Sequence, residues 1–186
     1  PADVFITVDA GRLHRAKKAG ILSAISSGLV DKRVPSHFRD IDGMWVALTI
    51  RARPIFYRKG NVDPSEIAQY EDLAENQWKD RICVRSSNSI YNQSLTASMI
   101  EAEGEKVTEN WVRGLIANLA RKPAGGDTDQ LKAVGAGQCD LAIANTYYLG
   151  RLLTSKNPND QALAKKLGVI WPNQKDRGTH VNVSGF

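Results

Sequence analysis

The sequence predicts an α/β fold. Two observations carry that reading: apolar runs of strand length alternate along the chain with segments of helical period, and clusters of turn residues separate them. A third limits it. No apolar run approaches the roughly 20 residues of a membrane-crossing helix, and the longest, such as Val4–Val8 and Leu141–Ala144, are strand-sized. A chain of 186 residues suits one ordinary domain, or two small lobes between which it weaves. At 42% hydrophobic and 24% charged residues, it has the composition of a packed core rather than of a disordered segment.

Ala2–Val8 reads as a buried strand that ends in the turn Asp9-Ala10-Gly11. A helix follows on which Leu13, Ala16, Lys17 and Gly20 keep helical spacing, and Gly20 stops it. Val34-Pro35 is extended, because the residue before proline avoids the helical region. After the turn Asp40–Gly43, Met44–Ile50 and Pro54–Tyr57 are strand-like and are broken at Arg51-Ala52-Arg53. Asp63-Pro64-Ser65-Glu66 has the pattern of a helix start. Ile82–Val84 is a short strand, and the polar loop Ser86–Ser89 leads into a helix near Asn92–Ala102. Thr108 is placed to cap a second helix, with Trp111, Leu115, Ile116 and Leu119 on one face. Pro123–Gly126 ends it. A helix over Asp129–Ala136 closes at Gly137, and the strand Cys139–Ala144 follows. Leu149–Leu153 starts a further helix, Gln161–Leu167 forms another that stops at Gly168, and Val169–Trp171 and His180–Val183 are the last strands. Such alternation argues mostly parallel sheets. Both ends of the chain read as cuts through a fold.

The formal charge of +5 admits nucleic acid, a membrane surface or an anionic ligand as partner. The basic residues, however, are scattered singly or in pairs, such as Lys17-Lys18 and Lys165-Lys166, so they read as a basic surface and no nucleic acid is expected. Cys83 and Cys139 each begin an apolar run; they form a disulfide in an oxidising compartment or stay as buried thiols.

In open α/β sheets ligands bind beyond the carboxyl ends of strands. Two such ends lead to tyrosine: Ile82–Ser87 runs on to Tyr91, and Leu141–Ala144 runs on through Asn145-Thr146 to Tyr147-Tyr148. If the two strands are neighbours, three phenols converge. A phenol is neutral at pH 7, its pKa lying near 10. A hard trivalent cation such as Fe(III) supplies the field that removes the proton, and the phenolate is then a hard oxygen donor suited to it. The same dipeptide also fits two half-buried packing aromatics. His14, His37 and His180 share no metal spacing. Asp127 and Asp129 read as a solvated helix start, and the glycine-rich Ala124–Asp127 lacks the lysine of a phosphate loop. Arg51 and Arg53 are either surface arginines or cations reaching into a crevice. No nucleophile and base stand in a recognisable context, which argues against an enzyme.

The stretches ADVFITVDAGRLHRAKKAG, RARPIFY, YEDLAENQWKDRICVRSSNSIYNQSL, GLIANLARKPAGGDTDQLKAVGAGQCDLAIANTYY and GTHVNVSG together resemble the bacterial ferric-iron-binding proteins of the FutA/FbpA type, over nearly the whole chain. The resemblance implies a type II periplasmic-binding-protein fold with iron in an interlobe cleft. One lobe would be complete (51–170, with crossing strands near 44–57), and the other partial (1–50, with the return strand 171–186). It implies that the tyrosine of IYNQSL, here Tyr91, and the pair of NTYY, here Tyr147 and Tyr148, ligate Fe(III), with Arg51 close to the metal. It further implies a periplasmic carrier that hands its iron to an ABC permease, a further ligand tyrosine in an earlier segment, and possible self-association of the 186-residue chain. A solute-binding protein of the same fold for an oxyanion, held by Arg51, Arg53 and Arg85, is the alternative.

Overall fold

A computed structural model describes residues 3–186. Along the chain run β1 (Thr7–Val8), α1 (Ala10–Lys18), α2 (Gly28–Arg33), β2 (Ala47–Ala52), β3 (Ile55–Arg58) and β4 (Ile82–Cys83). Then come α3 (Ile90–Glu103), α4 (Glu105–Ala117), α5 (Asp127–Ala136), β5 (Leu141–Ile143), α6 (Thr146–Leu153), α7 (Pro158–Lys165), β6 (Leu167–Ile170) and β7 (Val181–Gly185). Two compact units result: the chain up to Arg51 together with Val181–Phe186, and Ala52–His180.

The first unit is a three-stranded sheet in the order β1-β7-β2. Strands β1 and β7 are antiparallel, with Thr7 opposite Gly185 and Val8 opposite Ser184. Asp9 starts α1, its Oδ1 accepting from the Gly11 amide at 3.0 Å. Leu13 of that helix packs with Ala47 and Val183, and with the partly buried Phe38 and Trp45. The strand expected over 2–8 is shorter, and its residue Ala2 lies outside the described residues. Pairing with β7 extends only to Thr7, and Val4, Phe5 and Ile6 are exposed.

The second unit holds a four-stranded sheet in the order β4-β5-β3-β6. β4 and β5 are parallel, whereas β3 is antiparallel to both of its neighbours. The expectation of mostly parallel sheets is therefore corrected: β4, β5 and β6 share one direction, and β3 is inserted between β5 and β6 running the other way. Both faces of this sheet are covered, which is why its strands, Arg58 at the end of β3 excepted, are apolar instead of alternating with polar residues. Successive side chains point to opposite faces. Ile55, Ile82, Leu141 and Ile143 join Trp78, Leu95, Met99 and Trp111 in one core. Phe56, Cys83, Ala142 and Ala144 join Leu131, Val134, Leu152 and Ala164 in the other.

Several local expectations change. Residues 63–78 fold into three short 3-10 turns rather than a helix. The first is capped by the Asp63 carboxylate, which accepts from the Ser65 amide at 2.9 Å. Thr108 is not a cap: α4 starts at Glu105, and the buried Thr108 hydroxyl donates to the Gly104 carbonyl at 2.9 Å. Ile116 is exposed, unlike Trp111 on the same helix. Gly168 does not stop α7 but lies within β6 opposite Tyr57, whose ring occupies the space where a Cβ would sit. Cys83 and Cys139 are joined in a disulfide.

Candidate metal centre

Because β4 and β5 are parallel neighbours, with Ile82 opposite Leu141 and Cys83 opposite Ala142, their carboxyl ends emerge side by side. From β4 the chain passes through a polar loop into α3, whose first turn carries Tyr91. From β5 it passes through Asn145 into α6, whose first turn carries Tyr147 and Tyr148. The Tyr91 and Tyr147 hydroxyl oxygens lie 3.5 Å apart. The Tyr147 and Tyr148 rings have centroids 4.1 Å apart and are tilted by 32°. Tyr91 is buried, and the other two are half-buried. Both helices present their N-terminal turns here, where unpaired amides and the helix dipole favour negative charge.

Electrostatics decide what such a cluster does. Burial, first, then hydrogen bonding to Tyr148 and Tyr91 and the repulsion of their charges, pushes the Tyr147 phenol well above the ordinary tyrosine range. The Tyr147 phenol thus keeps its proton at neutral pH. A hard cation at the phenols' shared position reverses the balance, replacing mutual repulsion by attraction to each oxygen. Among the described residues no three His, Cys, Asp or Glu side chains gather as a metal cluster. His14 and His37 are exposed, and His180 is partly buried, its carbonyl accepting from the Arg53 amide. The oxygen donors that do converge are phenols.

Cations adjoin them. The Arg53 and Arg85 guanidinium carbons stand 5.7 Å and 5.6 Å from the Tyr91 ring centroid, and that of Arg151 lies 5.9 Å from the Tyr147 ring. Arg51 falls in the other unit, where it donates to the Ser184 hydroxyl. Arg53 is fully buried. It donates to Asp127 at 2.8 Å, to Asn145 at 3.0 Å and to Asn92 at 2.7 Å. Asp127, expected to be a solvated helix start, is also fully buried. Its carboxylate accepts from Arg53, from Arg85 at 3.3 Å and from the Asn145 amide at 2.9 Å. Asp129 does stand at the surface and accepts from the Gly126 amide at 2.7 Å. Sequence reasoning missed the Arg53–Asp127 pair because 74 residues separate its members. The one signal for it was an arginine set at the edge of an apolar run.

An apolar groove also opens in this unit. About 480 Å³ open between α3 and α4, lined by Leu95, Trp111, Leu115 and Ile116 and by none of the three tyrosines. Its lining holds no carboxylate and no phenol.

The family profile described as "Bacterial extracellular solute-binding protein" matches residues 1–184. The chain belongs to this family. Its members bind and carry solutes and are not enzymes. Among similar proteins, iron uptake protein A1 of Synechocystis sp. is 51% identical over 185 residues, which cover 100% of this chain and 51% of that protein. The structure of Trichodesmium FutA in complex with iron and citrate ligands is 54% identical with a TM-score of 0.96, covering 100% of this chain and 58% of that one. A ferric binding protein from Campylobacter jejuni is 47% identical with a TM-score of 0.95, covering 100% of this chain and 59% of that one. The architecture is thus that of the type II periplasmic binding proteins. The chain spans about half the length of the curated relatives it matches.

Proposed function

We propose that the chain binds ferric iron through the phenolates of Tyr91, Tyr147 and Tyr148, and that the protein carries this iron in the periplasm to an ABC permease. The observation that carries the reading is the convergence of the three phenols, with the Tyr91 and Tyr147 hydroxyl oxygens 3.5 Å apart and the Tyr148 ring tilted against that of Tyr147 at 4.1 Å. Nothing apolar about the position calls for three hydroxyls together, whereas a trivalent cation matches three ionised oxygens in charge. Relatives named for iron uptake or for ferric binding support the choice of metal. Three phenolates leave coordination positions for water, an anion or oxygens from outside this stretch of chain.

The oxyanion alternative fits less well. Both Arg53 and Arg85 are engaged by the Asp127 carboxylate, so an anion would have to compete with a buried ion pair. Titration with ferric nitrilotriacetate tests the proposal. A visible phenolate-to-iron absorption band is expected to grow to one equivalent, and to be lost when Tyr147 and Tyr148 are both replaced by phenylalanine. Saturable binding of iron with no such band would refute phenolate ligation. Tight binding of a simple oxyanion in the absence of metal would favour the alternative.

A further inference from the structure

We propose that the buried Arg53–Asp127 pair is the positioning centre that holds Tyr91, Tyr147 and Tyr148 in register for the metal; the inference rests on the phenolate reading above. Burying two charges completely is expensive, and well-packed apolar residues would serve stability as well or better. A pair like this is explained by what it holds in place.

Its contacts run to the elements that bear the phenols. Arg53 Nη2 donates to Asn92 Oδ1 at 2.7 Å, and Asn92 directly follows Tyr91 on α3. Arg53 Nη1 donates to Asn145 Oδ1 at 3.0 Å, and Asn145 stands two residues before Tyr147 at the start of α6. Asp127 Oδ2 accepts from the Asn145 amide at 2.9 Å, so that residue is gripped by both members of the pair. Asn92 Nδ2 in turn donates to the carbonyls of Arg85 at 2.9 Å and Ser86 at 3.2 Å, fixing the loop from β4 that delivers α3. The guanidinium also reaches the Ile143 carbonyl at the end of β5 at 3.4 Å. Its own backbone is anchored, since the Tyr70 hydroxyl donates to the Arg53 carbonyl at 2.7 Å. One planar fork therefore spans β5, α3 and the start of α6, and the carboxylate at the head of α5 locks it. A lysine could supply the charge here but not the fork.

Electrostatics point the same way. Arg53 and Arg85 share one carboxylate, which leaves one surplus positive charge beside the Tyr91 ring. That charge is complementary to a phenolate. The arrangement thus sets both where the oxygens stand and the field they meet.

The test compares Arg53→Lys, which keeps the charge and loses the fork, with Asp127→Asn, which keeps the shape and loses the charge. Iron is supplied as ferric nitrilotriacetate, and affinity is read by competition with citrate. Both variants are expected to retain the wild-type far-UV circular dichroism, to show a shifted and weakened visible band, and to bind iron about 10- to 100-fold more weakly. A folded variant pair with the wild-type band position and affinity would overturn the proposal. A silent Arg53→Lys beside an impaired Asp127→Asn would overturn positioning in favour of charge. Should either variant fail to fold, Asn92→Ala decides. It removes the half-buried link between Arg53 and the Tyr91 helix, and an unchanged band there would also overturn the inference. Wild-type protein that takes up iron with no phenolate band would instead refute the reading beneath it, so the two failures are told apart.

Discussion

Acid is expected to weaken this fold through His180, and a glutamine at that position is expected to remove the weakness. The His180 backbone is fixed on both sides. Its carbonyl accepts from the Arg53 amide at 2.9 Å, and its amide donates to the Tyr70 hydroxyl at 3.2 Å. The ring Nε2 is buried and has no hydrogen-bond partner among the described residues. Burial, and then the positive charge of Arg53, lowers the imidazole pKa from 6.5 to about 4. The folded state therefore holds the neutral ring. Its contribution is fully present above the unfolded-state pKa near 6.5 and is lost as the pH falls towards 4. At about 1.4 kcal/mol per pKa unit, the loss relative to neutral pH is about 2 kcal/mol at pH 5 and about 3 kcal/mol at pH 4. Urea unfolding of wild type and His180→Gln at pH 7, 5 and 4 measures it. Carboxylates titrate alike in both proteins, so the difference between the two isolates the histidine. Parallel curves, with a constant gap at all three pH values, would refute the reasoning.

Other expectations follow from single features. Reducing the Cys83–Cys139 bond, or replacing both residues by serine, frees a loop with a sequence separation of 56. Chain entropy sets the loss for such a loop at about 4 kcal/mol, to be read as a drop in urea midpoint with reductant. Gly168→Ala would set a Cβ 2.2 Å from the Tyr57 ring; a loss of about 1–3 kcal/mol is expected, relieved when Tyr57 is also truncated. Leu131→Ala empties a fully buried site on α5 and is expected to cost about 2–5 kcal/mol in chemical unfolding. If iron is the cargo, loading at a hundredfold excess over Kd raises stability by about 2.7 kcal/mol, seen as a higher melting temperature that a chelator reverses.

What the sequence disclosed was mostly local. Proline, glycine and apolar period marked α1, α3, α5 and β5 within a few residues, because those signals act on the backbone where they stand. The meeting of Tyr91 with Tyr147 was legible only on condition that two strands are neighbours, and the β4–β5 pairing meets that condition. Thr108 looked like a cap because a threonine before an apolar face usually is one; the chain instead turned earlier, at Gly104 with a φ of +85°, a backbone form that glycine adopts without a Cβ penalty. The direction of β3 was hidden, since an apolar run carries no sign of which way its partner runs. Asp127 was hidden for a different reason. An acid in the first turn of a helix is ordinarily at the surface, and the cation that draws this one inward comes from a strand far earlier in the chain.

The hydrogen bond between the Arg53 amide and the His180 carbonyl closes the stretch 52–180 on itself: the point where the chain enters this unit touches the point where it leaves. Such a stretch is a cassette. Cut at its two adjacent ends, it could be moved as one piece, rejoined head to tail with a short linker and reopened at an exposed loop, and the three phenols would travel with it.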